Sequence, residues 1–133
     1  MSERLAELVR RGYEEAFAGN PTRLLTMTAP DYRHYGADSQ GGYSEFTGPE
    51  VLAILVDVAA RTEATNEVTR TMALGDEIVL LEVRGTRRSR LSGASVEFRT
   101  ATLVNILDGR IVRTAEISEQ SQLEFWRSIR GRG

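Results

Sequence analysis

The apolar residues of this chain change period once, near Thr65, from a spacing of about four to a spacing of two. That single switch restricts the fold more than any motif does. Helices before it and strands after it predict an α+β protein, in which helices cover a face of an antiparallel sheet. No internal repeat, low-complexity tract or linker interrupts the 133 residues, so one domain over residues 1–133 is expected.

Before the switch, Ser2 stands where it can cap a helix running to about Phe17, with Leu5, Leu8, Val9, Ala16 and Phe17 near helical spacing. Gly19-Asn20-Pro21 stops it, and Pro21 opens a short second helix through Leu24, Leu25 and Met27. Asp31 to Tyr35 reads as a short strand, followed by a glycine-rich loop holding Gly36, Gly41 and Gly42. Gly48-Pro49 introduces a third helix with Val51, Leu52, Leu55, Val56 and Ala59 on one side, an apolar stripe of the kind that faces a core. After the switch, Val68–Leu74, Ile78–Thr86, Ser95–Leu107 and Arg110–Ile117 read as strands separated by Gly75-Asp76, Ser92-Gly93 and Asp108-Gly109. Ser121–Ile129 fits either a terminal helix or a strand extension.

The reagents available for chemistry are few. The chain has one histidine, His34, no cysteine and no lysine. A thiolate nucleophile, a zinc–thiolate site, a Schiff base and a multi-histidine metal centre are therefore excluded. Proton carriers must come from His34, tyrosines and carboxylates, with arginine or amide groups left to stabilise negative charge. Neither a transition metal nor an organic cofactor is expected. A formal net charge of −2 gives no basic field for nucleic acid. The Arg87, Arg88, Arg90 run and the tail Arg127, Arg130, Arg132 read as solvated faces or loop ends. No segment reads as membrane-spanning, and Met1 to Asn20 lacks an apolar signal core, so the cytoplasm is the expected compartment.

Several pieces resemble, in order and spacing, the nuclear-transport-factor-2-like fold, and within it the SnoaL-like polyketide cyclases, ketosteroid isomerases and limonene epoxide hydrolases. They are Ala16-Phe17-Ala18-Gly19-Asn20, Ala29-Pro30-Asp31-Tyr32-Arg33-His34-Tyr35, Gly48-Pro49-Glu50, Gly85-Thr86, Ser92-Gly93 with Val96-Glu97-Phe98-Arg99, and Asp108-Gly109-Arg110-Ile111-Val112. The resemblance implies three N-terminal helices packed on a strongly curved antiparallel sheet, and the bend of that sheet implies a cone-shaped pocket.

The same resemblance places His34 at the pocket mouth, with Tyr35 as the alternative if the register shifts by one. Glu116 falls where limonene epoxide hydrolases carry a catalytic aspartate, and Glu119 where many SnoaL-like sequences carry a terminal one. Tyr13 matches the helix-one tyrosine of ketosteroid isomerases. The resemblance also subtracts. Arg84 followed by Thr86 leaves the epoxide hydrolase triad incomplete, and Leu103 stands at the isomerase's protonated aspartate. The candidate catalytic residues are thus His34, Glu116 and Glu119. Tyr13, Tyr32, Tyr35 and Asn105 are the candidate binding residues, Asn105 as a lone polar group among Leu103 and Leu107.

Three functions stay open on this reading. One is a cofactor-free cyclase, isomerase or lyase acting on a small hydrophobic molecule. Another is a binding module using the same pocket, and a third is a structural role. A homodimer through the outer sheet face is also expected. Residues Ile78, Leu80 and Leu103 on one parity, and Val79, Leu81, Val104 and Ile106 on the other, leave neither face polar.

Overall fold

The computed structural model describes residues 2–129, the side chain of Ser2 excepted. The proposed Ser2 cap and the tail residues Arg130 and Arg132 therefore lie outside the described residues. The elements are α1 (Ser2–Phe17), α2 (Thr22–Met27), β1 (Thr28–Ala37), β2 (Tyr43–Thr47), α3 (Gly48–Arg61), β3 (Thr62–Ala73), β4 (Ile78–Ser89), β5 (Ser95–Leu107), β6 (Arg110–Ser118) and α4 (Gln120–Ile129). Four helices and one open six-stranded sheet make the protein α+β, with strand order β2-β1-β6-β5-β4-β3.

Two expectations need correction. The three early helices do not all precede the sheet, because β1 and β2 are inserted between α2 and α3. Nor is the sheet wholly antiparallel: β1 runs parallel to β6, while every other pair is antiparallel. β2 occupies part of the segment read as a glycine-rich loop. Its five residues gain strand character from pairing with β1 rather than from a pattern of their own.

Local chemistry explains most boundaries. α1 stops at Gly19, whose φ of 98° suits a residue without a side chain, and the Asn20 N–H returns to the Glu15 carbonyl. Thr47 and Glu50 cap the start of α3 reciprocally, with proline in its first turn. The β5–β6 hairpin turns through Asp108 and Gly109, both with positive φ, as a two-residue turn of this hand requires.

Alternation assigns the faces. Val79, Leu81 and Val83 on β4 and Phe98, Val104 and Ile106 on β5 point inward. α1 brings Ala6 and Val9 against Val79, Val104, Ile106 and Ile111. Each such valine, leucine, isoleucine or phenylalanine withdrawn from water stabilises the fold by roughly 1.5–3 kcal/mol. A second cluster joins Phe125, Trp126 and Ile129 of α4, now fixed as a helix, to Val58 and Val96. Val104 and Ile106 therefore belong to the core, and the outer face carries Leu80, Leu103, Leu107 and Ile117 instead. On α3 the packed side is also not the expected one, since Leu52, Leu55 and Val56 are exposed. No helix among the described residues is long and apolar enough to cross a membrane.

Candidate active site

The parallel pairing of β1 with β6 sets His34 beside Thr114. Period-two alternation then points Tyr32, His34 and Gly36 of β1 and Thr114 and Glu116 of β6 to the inner face. Tyr13 of α1 and Arg87 of β4 complete the group, both within electrostatic reach of Glu116. His34, Glu116, Tyr13 and Arg87 each keep partial exposure, so solvent still reaches the cluster.

Thr114 is fully buried, and its hydroxyl bonds both the Tyr32 hydroxyl and His34 Nδ1, the latter at 2.7 Å. Proton bookkeeping orients this chain. Thr114 has one hydrogen to give, and no further partner of either hydroxyl is found among the described residues. If Tyr32 donates to Thr114 and Thr114 donates to Nδ1, every hydroxyl hydrogen has an acceptor. The reverse arrangement leaves the Tyr32 hydrogen to solvent instead of to a protein acceptor. The arrangement that satisfies every hydroxyl within the cluster puts the hydrogen of His34 on Nε2. Burial holds the ring neutral, pulling its pKa from 6.5 to about 4, and the ring stacks on Phe46 with centroids 6.2 Å apart.

The other end of that ring and the Glu116 carboxylate approach the same glycine, Gly36. A Cβ built on Gly36 would lie 2.4 Å from His34 Nε2 and 2.9 Å from Glu116 Oε1. The two groups thus crowd the same bare Cα, within reach of one bridging water. Desolvation pushes the Glu116 carboxyl above the usual carboxylate range. The Ala37 N–H, 3.2 Å from Oε1, and the positive charge of Arg87 oppose that shift in part. Desolvation likewise raises the Tyr13 and Tyr32 phenols, with the Glu116 charge adding to both, so the two remain O–H donors at neutral pH.

Of the seven candidates, Tyr13, Tyr32, His34 and Glu116 come together. Tyr35 points to the outer face, 45% exposed and stacked on Tyr43. Glu119 lies past the end of β6, exposed and ion-paired with Arg99 at 3.1 Å, which holds its carboxyl below the ordinary range. Asn105 shares its parity with Leu103 and Leu107 as expected, but that parity is the outer one.

Thr114, Gly36 and Arg87 were not singled out as site residues. Arg87 looked like part of a solvated basic run. Its parity with Val79, Leu81, Val83 and Gly85 was the signal that it turns inward. No group of three or more metal-ligating side chains gathers among the described residues. A groove of about 520 Å³ runs elsewhere, between α1 and β3, lined among others by Glu3, Glu7, Arg10 and Thr71. Its Glu7 and Arg10 neutralise one another at the surface, whereas the inner-face cluster gathers acid–base groups and is the candidate site.

A model of the SnoaL-like domain matches residues 9–114. An uncharacterised protein of Mycobacterium tuberculosis is 30% identical over 115 residues, covering 83% of this chain and 85% of its own. Solved structures agree in fold. A nuclear-transport-factor-2-like protein from Burkholderia thailandensis superimposes with a TM-score of 0.80 at 14% identity, covering 92% of this chain and 95% of that one. IdmH, a proposed polyketide cyclase from Streptomyces antibioticus, gives 0.73 at 18% identity over 93% and 98%. AclR, a proposed hydroxylase from Streptomyces galilaeus, gives 0.73 at 16% identity over 96% and 98%.

Proposed function

The chain belongs to the SnoaL-like domain family, and from that premise we propose that its Tyr13–His34–Glu116 cluster performs cofactor-free acid–base chemistry on an apolar small molecule. The observation that carries this reading is the convergence of Glu116 Oε1 and His34 Nε2 on the bare Cα of Gly36. A carboxylate destabilised by burial is a stronger base than a solvated one. A neutral imidazole holding hydrogen on Nε2 donates without losing its proton.

Glu116 removes a proton from the carbon next to a carbonyl group. The C–H electron pair forms a carbon–carbon double bond, and the carbonyl π pair moves onto oxygen. His34 Nε2–H and the Tyr13 hydroxyl donate to that oxygen, where the charge develops. Where the molecule carries a carbon–carbon double bond conjugated with the enolate, return of the proton at the far end of that system gives an isomer. Attack of the enolate carbon on a second carbonyl of the same molecule closes a ring, and the proton held by Glu116 passes to the new alkoxide. The cyclase role proposed for IdmH is compatible with the second outcome.

Proton exchange in D2O, followed by NMR on bicyclic ketones such as the tetralones, tests the reading. The expected result is protein-dependent exchange at the carbon next to the carbonyl, at least 100-fold slower in Glu116→Gln and slowed in His34→Gln. Saturable binding of the same ketones with no exchange would replace catalysis by ligand holding at the same site.

A further inference from the structure

Arg87 is a cation drawn inside the protein and anchored by neutral groups alone. Its Nη1 donates to the Thr65 carbonyl at 3.1 Å and to the Thr86 carbonyl at 2.8 Å, and its Nη2 donates to Asn66 Oδ1 at 3.1 Å. The guanidinium lies over the Phe98 ring, 5.0 Å from its centroid. Gly85 makes room for this stack, since a Cβ there would meet Phe98 Cζ at 2.7 Å and Asn66 Oδ1 at 3.2 Å. The Arg87 Nε–H is covered by protein and meets no acceptor.

No ion pair among the described residues neutralises that charge. Among the described residues Glu116 is the carboxylate whose field acts on Arg87, yet the two form no ion pair. A buried cation without a counter-ion is costly, and leaving a charged donor unpaired adds to the cost. Three bonds and an aromatic seat nevertheless fix this guanidinium on the inner face, where its charge reaches Glu116. Fixed, planar and short of an anion is the state in which arginine recognises carboxylates.

We propose that Arg87 is an anion receptor, and that the molecule handled at this site is an organic carboxylate: its carboxylate is held by Arg87 and its apolar body extends towards Glu116. The inference rests on the site assignment above and adds the class of ligand. Arg87 is a binding and orienting residue here. By holding the carboxylate it sets which carbon of the apolar body lies beside Glu116.

Calorimetric titration of the full chain with 2-naphthoate and with neutral 2-acetonaphthone tests the proposal, since the probes share an aromatic body and differ in charge. The expected result is at least tenfold tighter binding of naphthoate, with the preference weakening as salt is raised. In Arg87→Met the ratio of the two affinities should fall towards one. In Arg87→Lys, which keeps the charge but loses the planar fork, it should fall part of the way. Equal affinity of the two probes for the wild-type protein overturns the proposal whatever the variants do, as does an unchanged ratio in a folded Arg87→Met protein or binding of neither probe. The ketone exchange experiment stands apart from this one. Loss of exchange with the naphthoate preference intact would reject the acid–base reading and leave the receptor in place.

Discussion

Gly36 shows how little separates this site from a disordered one. Its inward face is flanked by His34 Nε2 and Glu116 Oε1, and a methyl group there would stand 2.4 Å from the ring nitrogen. Gly36→Ala should displace the imidazole from Phe46 and Thr114, lowering stability by about 1–3 kcal/mol in denaturant titration. His34 and Glu116 also set opposite pH dependences. Unfolded histidine gains its proton as pH falls through 6.5, whereas His34 in the folded protein stays neutral to about 4. This residue therefore costs the folded state up to about 3 kcal/mol on acidification through that window. Glu116 works the other way: its raised folded value favours the folded state as pH falls back towards 4.5. Thermal unfolding between pH 6.5 and 4.5 should show a steeper acid loss in Glu116→Gln and a flattened or reversed one in His34→Asn. Parallel curves for both variants and the wild type would contradict these assignments. Much of this was legible in the sequence. His34 stood out as the lone histidine, and Tyr13 and Glu116 came from family register. Arg87 did not, because arginines on neighbouring positions conceal which of them alternates inward.

At the scale of elements, the local signals carried as far as local physics reaches. Asp108-Gly109 fixed the last hairpin, Gly19 ended α1 and Gly48-Pro49 opened α3, because each depends on residues within one turn. The pairing of β1 with β6 depends on residues about 80 positions apart, and no neighbouring residue reports it. That pairing is nonetheless what builds the site, since it sets His34 against Thr114. β2 was missed for a related reason. Five residues with two aromatics become a strand only where β1 offers an edge. The two mistaken faces, Asn105 on β5 and Leu55 on α3, share another cause. Period tells which residues lie together on an element, but not which side meets the core. When both sides are apolar, that choice is made by the partner.

For the whole molecule, the outer sheet face is the unfinished part. Tyr35, Leu103, Leu107 and Ile117 are 45%, 37%, 56% and 69% exposed, across strands that lie side by side in the sheet. We propose that a second copy covers this face. Light scattering at tens of micromolar should then return about twice the 14.8 kDa chain mass, and Ile117→Glu should shift it towards one chain. A wild-type mass of 14.8 kDa would reject the dimer. The site itself is a product of the whole chain: α1 lends Tyr13, β1 His34, β4 Arg87 and β6 Glu116, so only the complete fold assembles it. Because the chain has one histidine, the ring nitrogens of His34 give an unambiguous pair of signals in a long-range 15N–1H NMR spectrum. Titrated from pH 8 to 4, they should report a neutral ring with hydrogen on Nε2 down to about pH 5, losing neutrality only near 4. A ring that protonates near 6.5, or that carries its hydrogen on Nδ1, would contradict the assignment of His34 as the neutral donor facing Glu116.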